Sequence, residues 1–230
     1  MNAMYKNFTM NKLNFIFVGE AGSGKSEIAI NFAKYLVGLG EKPVHFFDLD
    51  MTKPLFRSRD IQYEIENLGI NFHHQEQFFD APTLVGGVNR LLKDDSCYVV
   101  MDVGGNEIGA RAIGGFAPKV NQDNTVVYYV LNAYRPWSGN LNHIDGTLSA
   151  ILNISHIKLD KVRIISNPNN GISTTVEEVL EGNLKTHEMI EPLMDIAFTC
   201  VNDALYEQVK ARTDIPLMPI HLYLTYPWNK

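Results

Sequence analysis

Leu13-Asn14-Phe15-Ile16-Phe17-Val18, followed at once by Gly19-Glu20-Ala21-Gly22-Ser23-Gly24-Lys25-Ser26, is the stretch whose reading decides the fold. The first six residues are a short apolar run closed by a glycine, the pattern of a buried strand. The next eight fit the spacing G-x-x-x-x-G-K-[S/T]. After Lys25 the period changes. Ile28, Ala29, Phe32, Ala33, Leu36 and Val37 recur at i, i+1, i+4, i+5, i+8 and i+9, one face of a helix, and Gly38 and Gly40 are expected to end it. Strand, glycine-rich turn and amphipathic helix in that order are the context in which this spacing makes a phosphate-binding loop.

The chemistry explains the residue types. Gly22 and Gly24 let the backbone fold into a nest whose N–H groups face an anion, and the helix that follows adds the positive end of its dipole. Lys25 is expected on the β- and γ-phosphates and Ser26 on Mg²⁺. Gly19, Gly22, Ser23, Gly24, Lys25, Ser26 and Glu27 are therefore the expected contacts of a nucleoside triphosphate at this end of the site.

Working outward, Pro43–Phe47, Ile70–His74, Tyr98–Val103, Val126–Leu131, Val162–Ile165, Ile196–Val201 and Leu217–Ile220 read as further strands. Between them lie candidate helices at Thr83–Leu92, Glu107–Phe116, Thr174–Ile190 and Asp203–Ala211, the third opened by a Thr174/Glu177 capping box. Strands apolar on both faces, alternating with helices, predict an α/β fold: a mostly parallel sheet with helices on both faces. No linker or repeat interrupts residues 1–230, so one nucleotide-binding domain is expected, with 1–11 as a flexible N-terminus.

Two strand ends carry acids. Cys97-Tyr98-Val99-Val100-Met101-Asp102 runs into Val103-Gly104-Gly105. An aspartate so placed anchors magnesium, and the glycines after it can offer N–H groups to the γ-phosphate; capping the next helix is the other use of Asp102. His45-Phe46-Phe47-Asp48-Leu49-Asp50 ends in carboxylates at i and i+2, which face the same side. Asp50 is the candidate to orient an attacking water and Asp48 to hold magnesium through water, against the alternative of a solvated loop. Lys53, Arg57 and Arg59 follow, where they can meet a phosphate, an acidic substrate or a second subunit, or simply solvent.

Composition narrows the partners. A 45% hydrophobic content over 230 residues supports a sizeable core, and a formal net charge of −6 without a basic cluster argues against nucleic acid. No apolar run approaches about 18 residues, so no membrane span is expected, and with no secretory signal pattern at the N-terminus the expected compartment is the cytoplasm. Cys97 and Cys200 lie in apolar runs and read as buried free thiols. His73-His74 with Glu76 makes a poor metal site, because adjacent strand residues face opposite ways.

The phosphate loop, Asp48-Leu49-Asp50, Asp102-Val103-Gly104-Gly105 and Ser166-Asn167-Pro168, in that order, resemble the MinD/ParA/CobQ-CobB-like branch of the SIMIBI class of P-loop proteins over about Leu13 to Ile220. The resemblance implies that Asp48–Asp50 is switch I and that Asp102–Gly105 is switch II. It implies Asn167 and Pro168 at the base, flanked by Val201, Asn202 and Asp203. With no N-K-x-D sequence present, it favours ATP over GTP. The family's lysine directly after the first glycine, which reaches across a dimer, is Glu20 here, and an acid cannot play that role beside a triphosphate. The string Glu20–Ser26 is also similar to the loops of GTP-dependent metallochaperones, without their guanine motif or Cys/His metal site. No cysteine lies between Asp102 and Cys200 to clamp an iron–sulfur cluster, and His221–Lys230 is too short and aromatic for a MinD-type membrane helix.

Together these features imply an ATP-binding protein with Mg²⁺, releasing ADP by slow hydrolysis and switching its contacts with a partner protein. The expected contact residues are Arg57, Arg59 and the Tyr134–Trp137 loop, and a nucleotide-dependent homodimer is the family's own arrangement. A binding module with negligible turnover and a cobyrinate-synthase-like amidating enzyme are the alternatives from other classes.

Overall fold

The computed structural model describes residues 8–50, 58–74 and 87–224. Eight strands form one sheet: β1 (Asn14–Val18), β2 (Val44–Leu49), β3 (Ile70–His74), β4 (Tyr98–Val103), β5 (Thr125–Leu131), β6 (Val162–Ser166), β7 (Ile196–Asn202) and β8 (Leu217–Ile220). Their order is β3-β2-β4-β1-β5-β6-β7-β8, and every neighbouring pair is parallel. Parallel neighbours require crossovers over the faces, which explains why nearly every strand residue is buried. The helices are α1 (Lys25–Leu39), α2 (Gln62–Asn67), α3 (Val88–Leu91), α4 (Glu107–Gly114), α5 (Ala117–Val120), α6 (Leu141–Ser155), α7 (Val176–Ile190) and α8 (Tyr206–Lys210).

Strand β1 divides the core by simple alternation. Phe15 and Phe17 pack with Ile28, Phe32 and Leu36 of α1, whereas Ile16 and Val18 pack with Ala110 and Ile113 of α4 and Ile144, Leu148 and Ile151 of α6. The α1 face is strongly aromatic: Phe15 and Phe32 have ring centroids 4.8 Å apart, and Phe17 and Tyr128 5.4 Å. A smaller cluster of Val176, Val179, Val201, Tyr206, Val209 and Leu217 seats α7 and α8 at the β8 edge.

The structure revises several expected boundaries. Helix α1 runs through Gly38 and ends at Gly40, whose φ of 66° makes the left-handed cap. The capping box of α7 lies one residue later than expected: Thr175 accepts from the Glu178 N–H, while the Glu178 carboxylate accepts from the Thr175 N–H. Thr174 instead closes the preceding turn, donating to the Gly171 carbonyl at 2.6 Å. The helix expected at 83–92 is only Val88–Leu91 among the described residues. The one expected at 203–211 opens as a 3-10 turn, Asp203–Leu205, before Tyr206–Lys210. Helix α6 has no counterpart in the sequence reading. Its signal is present, with Asn140 capping the His143 N–H and Ile144, Leu148 and Ile151 at helical spacing. The N-terminus expected to be flexible is packed from Phe8, whose ring lies 4.8 Å from that of Phe198 and whose carbonyl accepts from Tyr128 Oη at 2.6 Å.

Candidate functional site: a phosphate loop at the carboxyl edge of the sheet

The chain leaves β1 at the centre of the sheet and turns into α1 beside the carboxyl ends of β4 and β5. In open parallel sheets this edge is where ligands bind. Residues 19–24 lie against two neighbouring segments. Gly24 (φ 90°) is so close to the Asn167 amide that any side chain would collide with it, and a side chain at Gly105 would collide with the Gly19 carbonyl. Asn167 Nδ2 donates to the Ser23 carbonyl at 2.7 Å, and Arg135 Nε donates to the Gly22 carbonyl at 3.1 Å. The Gly22 and Ser23 carbonyls are thus held from outside by the segments after β5 and β6, while the Ser23 N–H donates to the Glu20 carbonyl at 3.2 Å within the loop. Ser23 Oγ is buried with no hydrogen-bond partner among the described residues, so a donor remains inside the loop.

Lys25, Ser26, Asp48, Asp50 and Asp102 are all buried and form two neighbouring polar groups, one around Asp50 and Asp48 and one around Asp102. Lys25 Nζ pairs with Asp50 Oδ2 at 3.1 Å. Ser26 Oγ donates to Asp102 Oδ2, which also accepts from Ser58 Oγ at 3.5 Å. Asp48 and Asp102 stand in register on adjacent strands. Burial, and then the charge of Asp102, push the Asp48 carboxyl above its usual range; Arg59, 3.1 Å away, pulls the other way. Arg59 also donates to the Asp50 carbonyl at 3.0 Å, so this expected partner contact is folded back onto the site. Arg57 lies outside the described residues. Asp102 caps no helix, since the cap of α4 is Asn106, accepting from Gly109 N–H at 3.1 Å.

The donor set tests for magnesium. Among the described residues no group of three or more His, Cys, Asp and Glu could hold a metal by itself. Magnesium needs less, since it keeps several waters and is held by one or two carboxylates together with substrate phosphates. A serine hydroxyl and the in-register carboxylates beside the loop are hard oxygen donors of that kind, and a cation would relieve the repulsion that raises Asp48. The residues therefore fit a shared magnesium, which Ser26 and Asp102 would hold.

Asn167, Pro168, Val201 and Asn202 come together in the lining of one small cavity, which Leu222 also lines. Asp203 does not join them: its carboxylate pairs with His221 Nδ1 at 2.9 Å. Glu27 turns its carboxylate away from the loop, to the N–H groups of Tyr223 and Leu224. Gly104 sits beside Asp50 and Gly105 against Gly19 to Ala21, so the segment after β4 touches both the second strand end and the phosphate loop.

Three long-range contacts had no local signature: Asn167 on Ser23, Arg135 on Gly22, and Thr147 Oγ1 donating to Glu20 Oε1 at 2.7 Å. The last ties Glu20 to α6 of its own chain. In the 134–137 loop Tyr134 packs on α7, Arg135 holds the phosphate loop and Trp137 is 53% exposed. His45 and His73, unrelated in sequence, meet across β2 and β3 with ring nitrogens 2.9 Å apart. No helix among the described residues is long and apolar enough to cross a membrane.

No protein-family model and no curated protein matches the sequence. Solved structures match in shape. The signal recognition particle 54 kDa protein of Aeropyrum pernix K1, in complex with GDP, superposes with a TM-score of 0.51 at 21% identity over 82% of this chain and 41% of that one. The cell division protein FtsY of Thermotoga maritima gives 0.54 at 18% identity over 83% and 62%. The chloroplast FtsY of Physcomitrella patens gives 0.54 at 15% over 85% and 64%. The chain thus spans under two thirds of the length of each of these. At these identities the likeness is one of fold: the chain has the α/β fold of these proteins, an all-parallel sheet flanked by helices with a phosphate-loop motif between β1 and α1.

Proposed function

We propose that the protein binds ATP with Mg²⁺ and hydrolyses it slowly, as a nucleotide-driven switch of the MinD/ParA/CobQ-like kind acting on a partner protein. The observation that carries this reading is the pair of buried contacts, Lys25 with Asp50 and Ser26 with Asp102, at the sheet edge. Asp50 pairs with Lys25 at 3.1 Å. A bound triphosphate would compete for the ammonium and leave the Asp50 carboxylate to hold a water in line with the γ-phosphate. Lys25 then stabilises charge on the phosphoryl group as it leaves. Ser26 and Asp102 would hold a magnesium ion, which when bound would supply neutralisation of the phosphate oxygens.

The preference for adenine rests on the absence of an N-K-x-D sequence. Asn167 Nδ2 donates to the Ser23 carbonyl at 2.7 Å, and Asn202 Oδ1 accepts from the Ala204 N–H at 2.9 Å. The remaining amide acceptor and donor can meet the polar edge of either purine. Guanine is the competing base, since the Aeropyrum structure holds GDP, and displacement of labelled ATP by GTP against ADP distinguishes them. Lys25→Ala is expected to weaken Mg-ATP binding roughly a hundredfold by loss of a charge-assisted contact. Calorimetric affinity equal to that of the unaltered chain overturns the assignment.

A second reading, a binding module with negligible turnover, has its own support. Glu20 is tied to Thr147 within the chain and so brings no positive charge to a partner's phosphates. Single-turnover hydrolysis by purified protein separates the two: no ADP after hours at saturating Mg-ATP favours the module.

A further inference from the structure

The chain beyond β8 does not trail off the sheet edge. His221–Leu224 crosses to α1 and is fastened there by two side chains one helical turn apart. Asn31, only 6% exposed, holds His221 from both sides: Nδ2 donates to the His221 carbonyl at 2.8 Å, and the His221 N–H donates to Oδ1 at 2.9 Å. Glu27 accepts from the Tyr223 N–H at 2.6 Å through one carboxylate oxygen and from the Leu224 N–H at 3.0 Å through the other. Lys34, further along the same helix, lies over the Tyr223 ring with Nζ 5.4 Å from its centroid. These are four backbone hydrogen bonds to side chains of one helix. Two of them fall on a carboxylate, the stronger kind of acceptor. Between the two anchors stands Leu222, which lines the same cavity as Asn167, Val201 and Asn202.

We propose that His221–Leu224 is a strap that forms the outer wall of the base pocket, and that Asn31 and Glu27 are positioning residues that hold this wall to the phosphate-loop helix. The inference rests on the nucleotide-binding reading above and adds a specificity-determining element to it. Helix α1 begins at Lys25, so the residues that grip the phosphates and those that grip the strap share one rigid element. One wall of the base pocket thereby depends on α1 for its position, while the phosphates are held by α1 itself. Ligands with and without a base should therefore respond differently when the strap is loosened.

The test compares Mg-ATP with magnesium tripolyphosphate, which has the phosphates and no base. In Asn31→Ala two of the four strap bonds are lost. The expected result is a fall in Mg-ATP and Mg-ADP affinity of about tenfold, with tripolyphosphate affinity held within about twofold. Leu222→Glu, which changes the wall and leaves both anchors in place, should give the same split. Retained tripolyphosphate binding also reports that the variants are folded. If both variants bind ATP as the unaltered chain does, the strap is no part of the site. An equal loss for ATP and tripolyphosphate overturns the proposal too, because Asn31 then acts through the phosphate loop. An unaltered chain that binds tripolyphosphate but gains nothing from the base also overturns it, whereas one that binds neither ligand fails at the nucleotide-binding reading itself.

Discussion

At the scale of single residues, the site is defined by which charge each buried group meets. Lys25 and Asp50 are both nearly inaccessible and paired at 3.1 Å. A buried pair of this kind resists loss of one partner, because the other is left charged in a poor solvent. Removing Asp50 has a different result if a triphosphate is there to replace it. Asp50→Ala is expected to tighten Mg-ATP binding about tenfold, since Lys25 no longer has to leave a carboxylate. The same change should slow single-turnover hydrolysis about a hundredfold by removing the group that orients water. Calorimetry and rapid quench measure the two, and a parallel loss of both would rule out the exchange of partners by Lys25. At this scale spacing singled out Lys25, Ser26, Asp50 and Asp102, and the structure brings them together, buried, at one sheet edge. The sequence was illegible at Glu27. Its place two residues past the lysine suggested the ligand, yet its carboxylate serves Tyr223 and Leu224, which lie far along the chain.

At the scale of elements, the β2–β3 edge carries the pH dependence. His45 Nδ1 and His73 Nε2 are 2.9 Å apart, so one must be an unprotonated acceptor. Burial lowers both below the ordinary 6.5; Arg90 also lowers His45, opposed by Asp94, and His45 lowers His73. In the unfolded chain both titrate near 6.5, so as pH falls through that value the unfolded state takes up protons that the folded state refuses. Stability from this pair is complete above about 6.5 and is lost as pH falls towards the depressed values. The midpoint of urea denaturation should drop on acidification from pH 7.5 to 5.5, and His73→Gln should make that drop smaller. An identical pH slope in the variant counts against the pair as its source. The elements themselves were well read from periodicity, with all eight described strands near their expected places. Helix α6 was not, although Asn140, Ile144, Leu148 and Ile151 follow ordinary helix rules. The Thr174/Glu177 spacing met the capping-box pattern as well as Thr175/Glu178 does. Only the turn at Gly171, which takes Thr174, decides between them.

At the scale of the whole molecule, the P-loop is held by parts of the chain remote from it: Asn167 after β6, Arg135 after β5, Thr147 on α6 and the segment after β8 through α1. Ligand binding should therefore stabilise the fold as a unit. At a hundred times its dissociation constant, Mg-ATP should add about 2.7 kcal/mol to the free energy of unfolding. For a chain of this size that is a rise in Tm of roughly 5–10 °C. Differential scanning calorimetry with and without ligand measures it, and a shift no larger with Mg-ATP than with Mg²⁺ alone would oppose a specific site. Taken by itself, the sequence determined the strand–loop–helix that binds phosphate, the acids that accompany it and the α/β class. Those depend on residue type and short spacing, and local backbone geometry follows from both. The tertiary structure alone decided that Asp50 occupies Lys25, that Glu20 is tied to Thr147, that Asn167 braces Ser23, and that the strap meets α1. Each of these pairs is separated by 25 or more residues, and a contact at that range is set by how the crossovers pack on the sheet, which no local pattern records.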